Sequence, residues 1–154
     1  MKQIKPPEQL SFDRTRLSVF LAGSIELGAA ENWQARVAHE LNDLDITILN
    51  PRRDDWDATW TQDPAFGPFR EQVEWELDAQ EAADLIAFYF SPGTKAPITL
   101  LELGLAVGRR RAVVCCPDGF WRKGNVDIVC DRYNIHQTAT LDELTTYIRS
   151  EARS

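Results

Sequence analysis

The sequence predicts an α/β fold: one domain over residues 1–154 with five parallel strands, doubly wound by helices on both faces, and residues 1–15 as an N-terminal extension. Three observations carry that reading. Short apolar or β-branched runs alternate with segments of helical periodicity. The run "DLIAFYF", residues 84–90, is nearly continuous in apolar character, as a central strand buried on both faces requires. The chain of 154 residues, 44% hydrophobic and 27% charged, has the balance of a globular protein that folds around one core.

The elements follow in order. Residues 17–23, "LSVFLAG", form the first strand. A helix over 31–44 places Trp33, Val37, Leu41 and Leu44 on one face. Residues 46–49 are the second strand. A polar, Trp- and Pro-rich insertion over 50–68 follows, long for a strand-to-helix connection and therefore expected to be a working loop. The helix over 69–83 sets Phe69, Val73, Leu77 and Gln80 at helical spacing. The central strand comes next, then an apolar helix from Ile98 and the strand "AVVCC", residues 112–116. A loop over 117–125, a last strand near 133–136 and a terminal helix from Leu141 complete the chain, with Leu144, Tyr147 and Ile148 available for packing.

Repeated βα units imply right-handed crossovers and a flavodoxin-like or Rossmann-like strand order. Ligands of such sheets bind at the carboxyl ends of the strands, near the point where strand order reverses. The loops at 23–30, 50–68, 91–97 and 117–125 are therefore expected to converge on one site.

Charge and composition exclude several classes. Net charge is −7, and no basic tract of useful length occurs beyond residues 109–111, so a nucleic acid polymer would meet repulsion. The first ten residues lack an apolar signal core, and no run approaches the ~18 apolar residues of a membrane span. A cytoplasmic location without membrane contact is the expectation. Cys115, Cys116 and Cys130 form neither a CxxC pair nor an even framework and read as small core residues. With only His39 and His136 in the chain, neither a zinc site nor a histidine-based triad has support, and no metal or organic cofactor is expected.

Glu102 is the first residue that demands chemistry, because it lies among Leu100, Leu101, Leu103 and Leu105. Thr99-x-x-Glu102 matches a capping box, which is one reading. The other is a carboxylate in the first helical turn, kept ionised by the macrodipole and free N–H groups and so competent as a nucleophile. Glu76, in "QVEWELD", is a second candidate, enclosed by Trp75, Leu77 and the insertion, whereas Glu74 and Glu81 read as solvated charges. Two enclosed carboxylates in different environments are what glycosyl transfer requires.

Gly23 and Gly28 do not complete a GxGxxG pattern, and the loop offers Glu26 rather than a cation to a phosphate. The glycines either form a tight turn or let a sugar or base approach the backbone, with Ser24 as a hydrogen-bond donor. Arg52 and Arg53 have Asp54, Asp55 and Asp57 as available partners, and pairing is expected for at least one of them. Trp56 or Trp60 suits stacking on a planar heterocycle.

The segments "FLAGSI", "NPRRDDW", "QVEWEL", "ITLLELGLA" and "GFWRKGNVDIVC", in this order over residues 17–131, resemble the nucleoside 2-deoxyribosyltransferase-like family. That resemblance implies a flavodoxin-like domain that cleaves N-glycosidic bonds of nucleosides, with Glu102 of "ELGLA" as nucleophile and Glu76 as the second acid. It implies that Phe20 stands where the best-known members carry a tyrosine at the end of the first strand. It also implies that Asn125 reaches into a neighbouring subunit's site to hold the sugar 5′-hydroxyl. Gly23, Ser24, Asn50, Arg53, Trp56 and Gln72 complete the expected substrate-binding set. The implied partners are a nucleoside, a free base and further copies of the chain, in a homo-oligomer with shared sites. Two departures stand out: Ala96 occupies the place of a base-contacting Asp six residues before the nucleophile, and the Trp-rich insertion is not found in well-known transferases.

Overall fold

The structure, a computed structural model, describes residues 1–25, 32–108 and 111–153. In chain order the elements are β1 (Lys2–Ile4), β2 (Ser18–Gly23), α1 (Trp33–Glu40), β3 (Thr47–Leu49), α2 (Gly67–Ala82), β4 (Leu85–Tyr89), α3 (Pro97–Ala106), β5 (Ala112–Cys115), α4 (Lys123–Arg132), β6 (His136–Thr138) and α5 (Leu141–Glu151). The strands form one parallel sheet in the order β1-β3-β2-β4-β5-β6. Strands β2 to β6 have the flavodoxin-like order, and the reversal falls between β2 and β4.

The sheet has six strands rather than the expected five. Residues 1–15 do not form a loose extension: Lys2–Ile4 pairs with Thr47–Leu49, and the Asn50 N–H donates to Ile4 O at 2.9 Å. The rest of the segment lies along α2. The Trp75 Nε1–H donates to Glu8 O at 2.8 Å, Arg14 Nη1 donates to Ala82 O at 2.8 Å, and Leu10 and Phe12 pack on the core.

Period-two alternation divides the core into two layers. Phe20, Ala22, Ile86 and Phe88 meet α2, α3 and α4 through Trp75, Ala79, Leu103 and Val126. On the opposite face Val19, Leu21, Leu85 and Ala87 meet α1 and α5, where Trp33, Val37, Leu41, Leu144 and Ile148 are fully buried. The central strand is thus buried on both sides, as its unbroken apolar run requires.

Thr140 caps α5: its hydroxyl accepts from the Glu143 N–H at 3.2 Å, and Glu143 Oε2 accepts from the Ala139 N–H at 2.7 Å. Asn32 caps α1 by accepting from the Ala35 N–H. Both caps satisfy N–H groups that a helix start leaves unpaired.

Several boundaries differ from expectation. The last strand is His136–Thr138, and the chain before it is helix α4, so Asn125 lies in the first turn of a helix rather than in a loop. On α2 the buried residues are Gln72, Trp75, Ala79 and Gln80, while Leu77 of the expected apolar stripe is exposed. Within the 23–30 loop, Glu26 and Gly28 lie outside the described residues. The three cysteines are free and buried, and burial pushes their thiols up to about 11, 11 and 12. Among the described residues no helix is long and apolar enough to cross a membrane.

Candidate active site

Helix α3 starts abruptly. Its N-cap, Ala96, takes left-handed backbone angles (φ 44°, ψ 51°) without a capping side-chain bond, and Pro97 supplies the first helical residue. Left-handed alanine is strained by about 1 kcal/mol, so the packing around this buried residue must hold it there. Thr99 is consequently inside the helix and cannot be its cap. The capping-box reading of Glu102 fails, and the carboxylate lies in the second turn, beyond the reach of the free N–H groups.

Burial rather than the helix terminus governs Glu102. The residue is 8% exposed, and its Oε1 accepts a hydrogen bond from Gln80 Nε2 at 2.8 Å. Burial, and secondarily the charge of Glu76, pushes its carboxyl up to about 8, with the Gln80 bond opposing. The expectation of a carboxylate held ionised by the macrodipole is therefore overturned. Loss of water outweighs a dipole whose influence fades after one turn.

Glu76 faces the same site from α2. Its Oε1 accepts from Gln72 Nε2 at 2.7 Å, and the same amide donates to Pro51 O at 2.9 Å, tying the residue to the chain just past β3. Protein atoms crowding the carboxyl push it up to about 7, although part of the side chain remains open to solvent. Gln72, Glu76 and Gln80 are spaced four apart and form one row on α2. Gln80 at one end of the row reaches Glu102 on α3, and Gln72 at the other turns to Pro51.

The structure places the other expected residues as follows. Phe20 is the third residue of β2 and fully buried in the core, so it presents no surface to a ligand here. Gly23 ends β2, and a Cβ on it would fall 2.5 Å from the Trp33 ring. The glycine admits that indole rather than opening backbone to a ligand. Ser24 is buried directly beyond it. Asn50 is buried after β3, with Oδ1 accepting from the Arg52 N–H at 2.9 Å.

Within the insertion Arg53 is committed to Asp55 and Glu71 at 2.6 and 2.9 Å and lies over the Trp60 ring. Asp54 pairs with Lys5. Trp60 packs between Trp56 and Phe66, leaving Trp56 the more open of the two candidate stacking surfaces. Phe120 is buried against Phe90, whereas Trp121 is exposed, donates to Lys95 O and carries Lys95 and Arg122 on its ring. Asn125 is exposed.

Sequence reasoning missed Gln80 as a site residue, although its spacing from Glu76 and Gln72 was readable. It also missed the polar groups left over at this end of the sheet. Arg52 Nη1, Gln72 Oε1 and both amide atoms of Gln34 are buried without a hydrogen-bond partner among the described residues. Also among them, no group of three or more His, Cys, Asp or Glu side chains could hold a metal ion. An open groove between β6 and α5, lined by His136, Gln137, Asp142, Glu143 and Tyr147, lies at the β6 edge of the sheet and includes neither carboxylate.

Among solved structures, a conserved protein from Enterococcus faecalis V583 is similar at a TM-score of 0.64, over 88% of this chain and 99% of its own, with 14% sequence identity. Identity this low speaks to the fold alone. No curated protein matches the sequence. The family described as nucleoside 2-deoxyribosyltransferase like matches residues 16–120. That span runs from just before β2 through α2, α3 and β5 into the loop beyond it, taking in both carboxylates and both amides. With more than half of the chain matched, the protein belongs to the nucleoside 2-deoxyribosyltransferase-like family.

Proposed function

We propose that the protein transfers the deoxyribosyl group of a 2′-deoxynucleoside to another base through a glycosyl ester on Glu102. The observation that supports this most is the carboxylate pair, with Glu102 buried on α3 and Glu76 facing it from α2, each holding one amide hydrogen bond. Both carboxyls are raised toward neutrality, Glu102 further than Glu76, so the resting pair holds its proton preferentially on Glu102. The competent form is Glu102 ionised and Glu76 protonated, and positive charge developing at C1′ favours it by drawing Glu102 toward its anionic state.

The steps balance. A Glu102 carboxylate oxygen bonds to C1′ as the C1′–N bond breaks; its electron pair goes to the departing base, which takes the proton of Glu76. An acceptor base then attacks C1′ and gives its proton to Glu76, while the electrons of the C1′–O bond return to Glu102. Two displacements retain configuration at C1′. These steps require no cofactor. Asn50, Trp56 and Gln72, with Ser24 just past the end of β2, border the sugar and base positions in this reading.

Incubating the protein with a 2′-deoxynucleoside and a free acceptor base separates the possibilities. A new nucleoside supports transfer; free deoxyribose shows that water is the acceptor; binding without turnover identifies a ligand sensor and overturns the enzymatic reading.

The same reading includes assembly into a cytoplasmic homo-oligomer. Leu77 on α2, Ile98, Leu101 and Leu105 on α3, and Ile128 on α4 are exposed apolar side chains on one layer of the fold, with Trp121 and Asn125 beside them in sequence on α4 and its approach. Such a layer suits a partner surface. Light scattering is expected to give at least a dimer. Mixing the inactive Glu102→Ala and Asn125→Ala chains is expected to restore partial activity, because hybrid sites combine an intact Glu102 with an intact Asn125. An active monomer, or no recovery after proven exchange, would remove the shared site.

A further inference from the structure

We infer that Gln80 is a positioning residue for Glu102: its amide holds Oε1, leaves Oε2 to attack, and makes Glu102 a better leaving group when the glycosyl ester breaks down. The inference rests on the reading of Glu102 as nucleophile and adds a role that the carboxylate pair does not supply. Gln80 is 7% exposed in the middle of α2, one turn beyond Glu76, and a buried primary amide needs partners. It finds one in Glu102 Oε1 at 2.8 Å, across the α2–α3 contact.

The surroundings explain why this bond matters. The titratable group facing Glu102 from α2 is Glu76, which opposes ionisation. The strands beneath turn Phe20, Ala22, Ile86 and Phe88 toward this layer, none of them titratable, and α3 itself contributes Leu103 and Ala106 to the same cluster. Among the described residues the donor found at Glu102 is therefore a neutral amide. A lysine or arginine there would hold the carboxylate as an ion pair and blunt its attack. The amide favours the anion without neutralising it.

The bond also changes strength along the reaction. To the free carboxylate it is charge-assisted; once Oε2 is bonded to C1′, Oε1 is a neutral ester carbonyl and the same contact is weaker. As the C1′–Oε2 bond breaks, the electron pair returns to the carboxyl group and the contact strengthens again. Gln80 therefore lowers the barrier to release of Glu102 relative to the covalent state, so its loss is expected to prolong the glycosyl–enzyme intermediate.

Gln80→Met keeps the length and removes the donor; Gln80→Glu restores a donor only when protonated. Two measurements are made on each: the Glu102 titration by carboxyl carbon NMR without substrate, and turnover of an activated 2′-deoxynucleoside against pH with trapping of the intermediate. In Gln80→Met the Glu102 titration and the acid limb of kcat/KM are both expected to move upward by about one pH unit, with kcat reduced roughly 10- to 100-fold and the trapped ester increased. In Gln80→Glu part of the rate is expected to return toward low pH. An unmoved titration and limb in a folded Gln80→Met protein overturns the inference. A moved titration in a protein whose wild type never forms the ester overturns instead the nucleophile on which it rests.

Discussion

Glu102→Gln is expected to fold normally while losing turnover by on the order of 10⁴-fold, the scale on which removal of a covalent nucleophile is felt. The glutamine fills the same space and keeps the Gln80 contact available through its own carbonyl, so packing between α2 and α3 has no reason to change. What disappears is the oxygen anion that bonds to C1′. Intact-mass spectrometry after exposure to a mechanism-based deoxyribosyl analogue is expected to show an adduct on the wild type and none on the variant. Glu76→Gln is a milder lesion, because it removes a proton source that solvent can partly replace. A merely structural Glu102 would leave turnover near wild type, and that outcome ends the covalent mechanism.

How far the sequence disclosed this arrangement depends on what each residue was selected to do. β4 was legible because a strand buried on both faces has no polar position to confuse its pattern. α5 was legible because Leu144 and Ile148 lie one turn apart on its core face. β1 was not, since three residues ahead of Pro6 and Pro7 carry no period, and only pairing with β3 makes them a strand. α4 was obscured by its own sequence, "KGNVDIVCDR", where Val126 and Cys130 alone are fully buried.

The register of α2 was misread for a more instructive reason. Phe69, Val73, Leu77 and Gln80 offered one stripe, of which Gln80 is buried and Leu77 exposed; the buried face carries Gln72 and Gln80 beside Trp75 and Ala79, with Glu76 between the two amides. Polar residues at inward positions defeat a hydrophobic period, and they do so where the site is built. Glu102 was conspicuous on α3 because its neighbours are leucines. Its environment was not, because the donor that opposes its burial comes from Gln80, distant in sequence and adjacent only in the fold.

The same burial predicts that the protein loses stability as pH rises through neutrality. Glu76 and Glu102 titrate in the folded protein at about 7 and about 8, both raised from an ordinary 4.5, with desolvation the first cause for each. Between those ordinary and raised values the folded state holds more protons than the unfolded state, so unfolding free energy falls with increasing pH. The stabilisation is complete below the unfolded value and is lost as pH passes through the folded ones. A tenfold gain in a carboxyl's proton affinity on folding corresponds to about 1.4 kcal/mol, but water reaching Glu76 and relaxation around the charged pair reduce the effect, so the expected net loss is on the order of 2 kcal/mol between about pH 5.5 and pH 8.5.

Other groups set the edges of that window. Asp13, Asp43, Asp55 and Asp57 are held below the usual carboxylate range by hydrogen bonds, from Thr15, Arg149, Arg53 and Thr59 respectively, and their support fails only in acid. The buried thiols titrate well above the window. Urea unfolding of the wild type beside a Glu76→Gln/Glu102→Gln double variant isolates the pair, because every other charge is common to both. The wild type is expected to weaken across the window while the double variant stays nearly flat and is the more stable protein at the alkaline end. Parallel profiles for the two proteins would mean that the carboxyls shed their protons without penalty, and the pair would then lack the water-poor setting on which its chemistry depends.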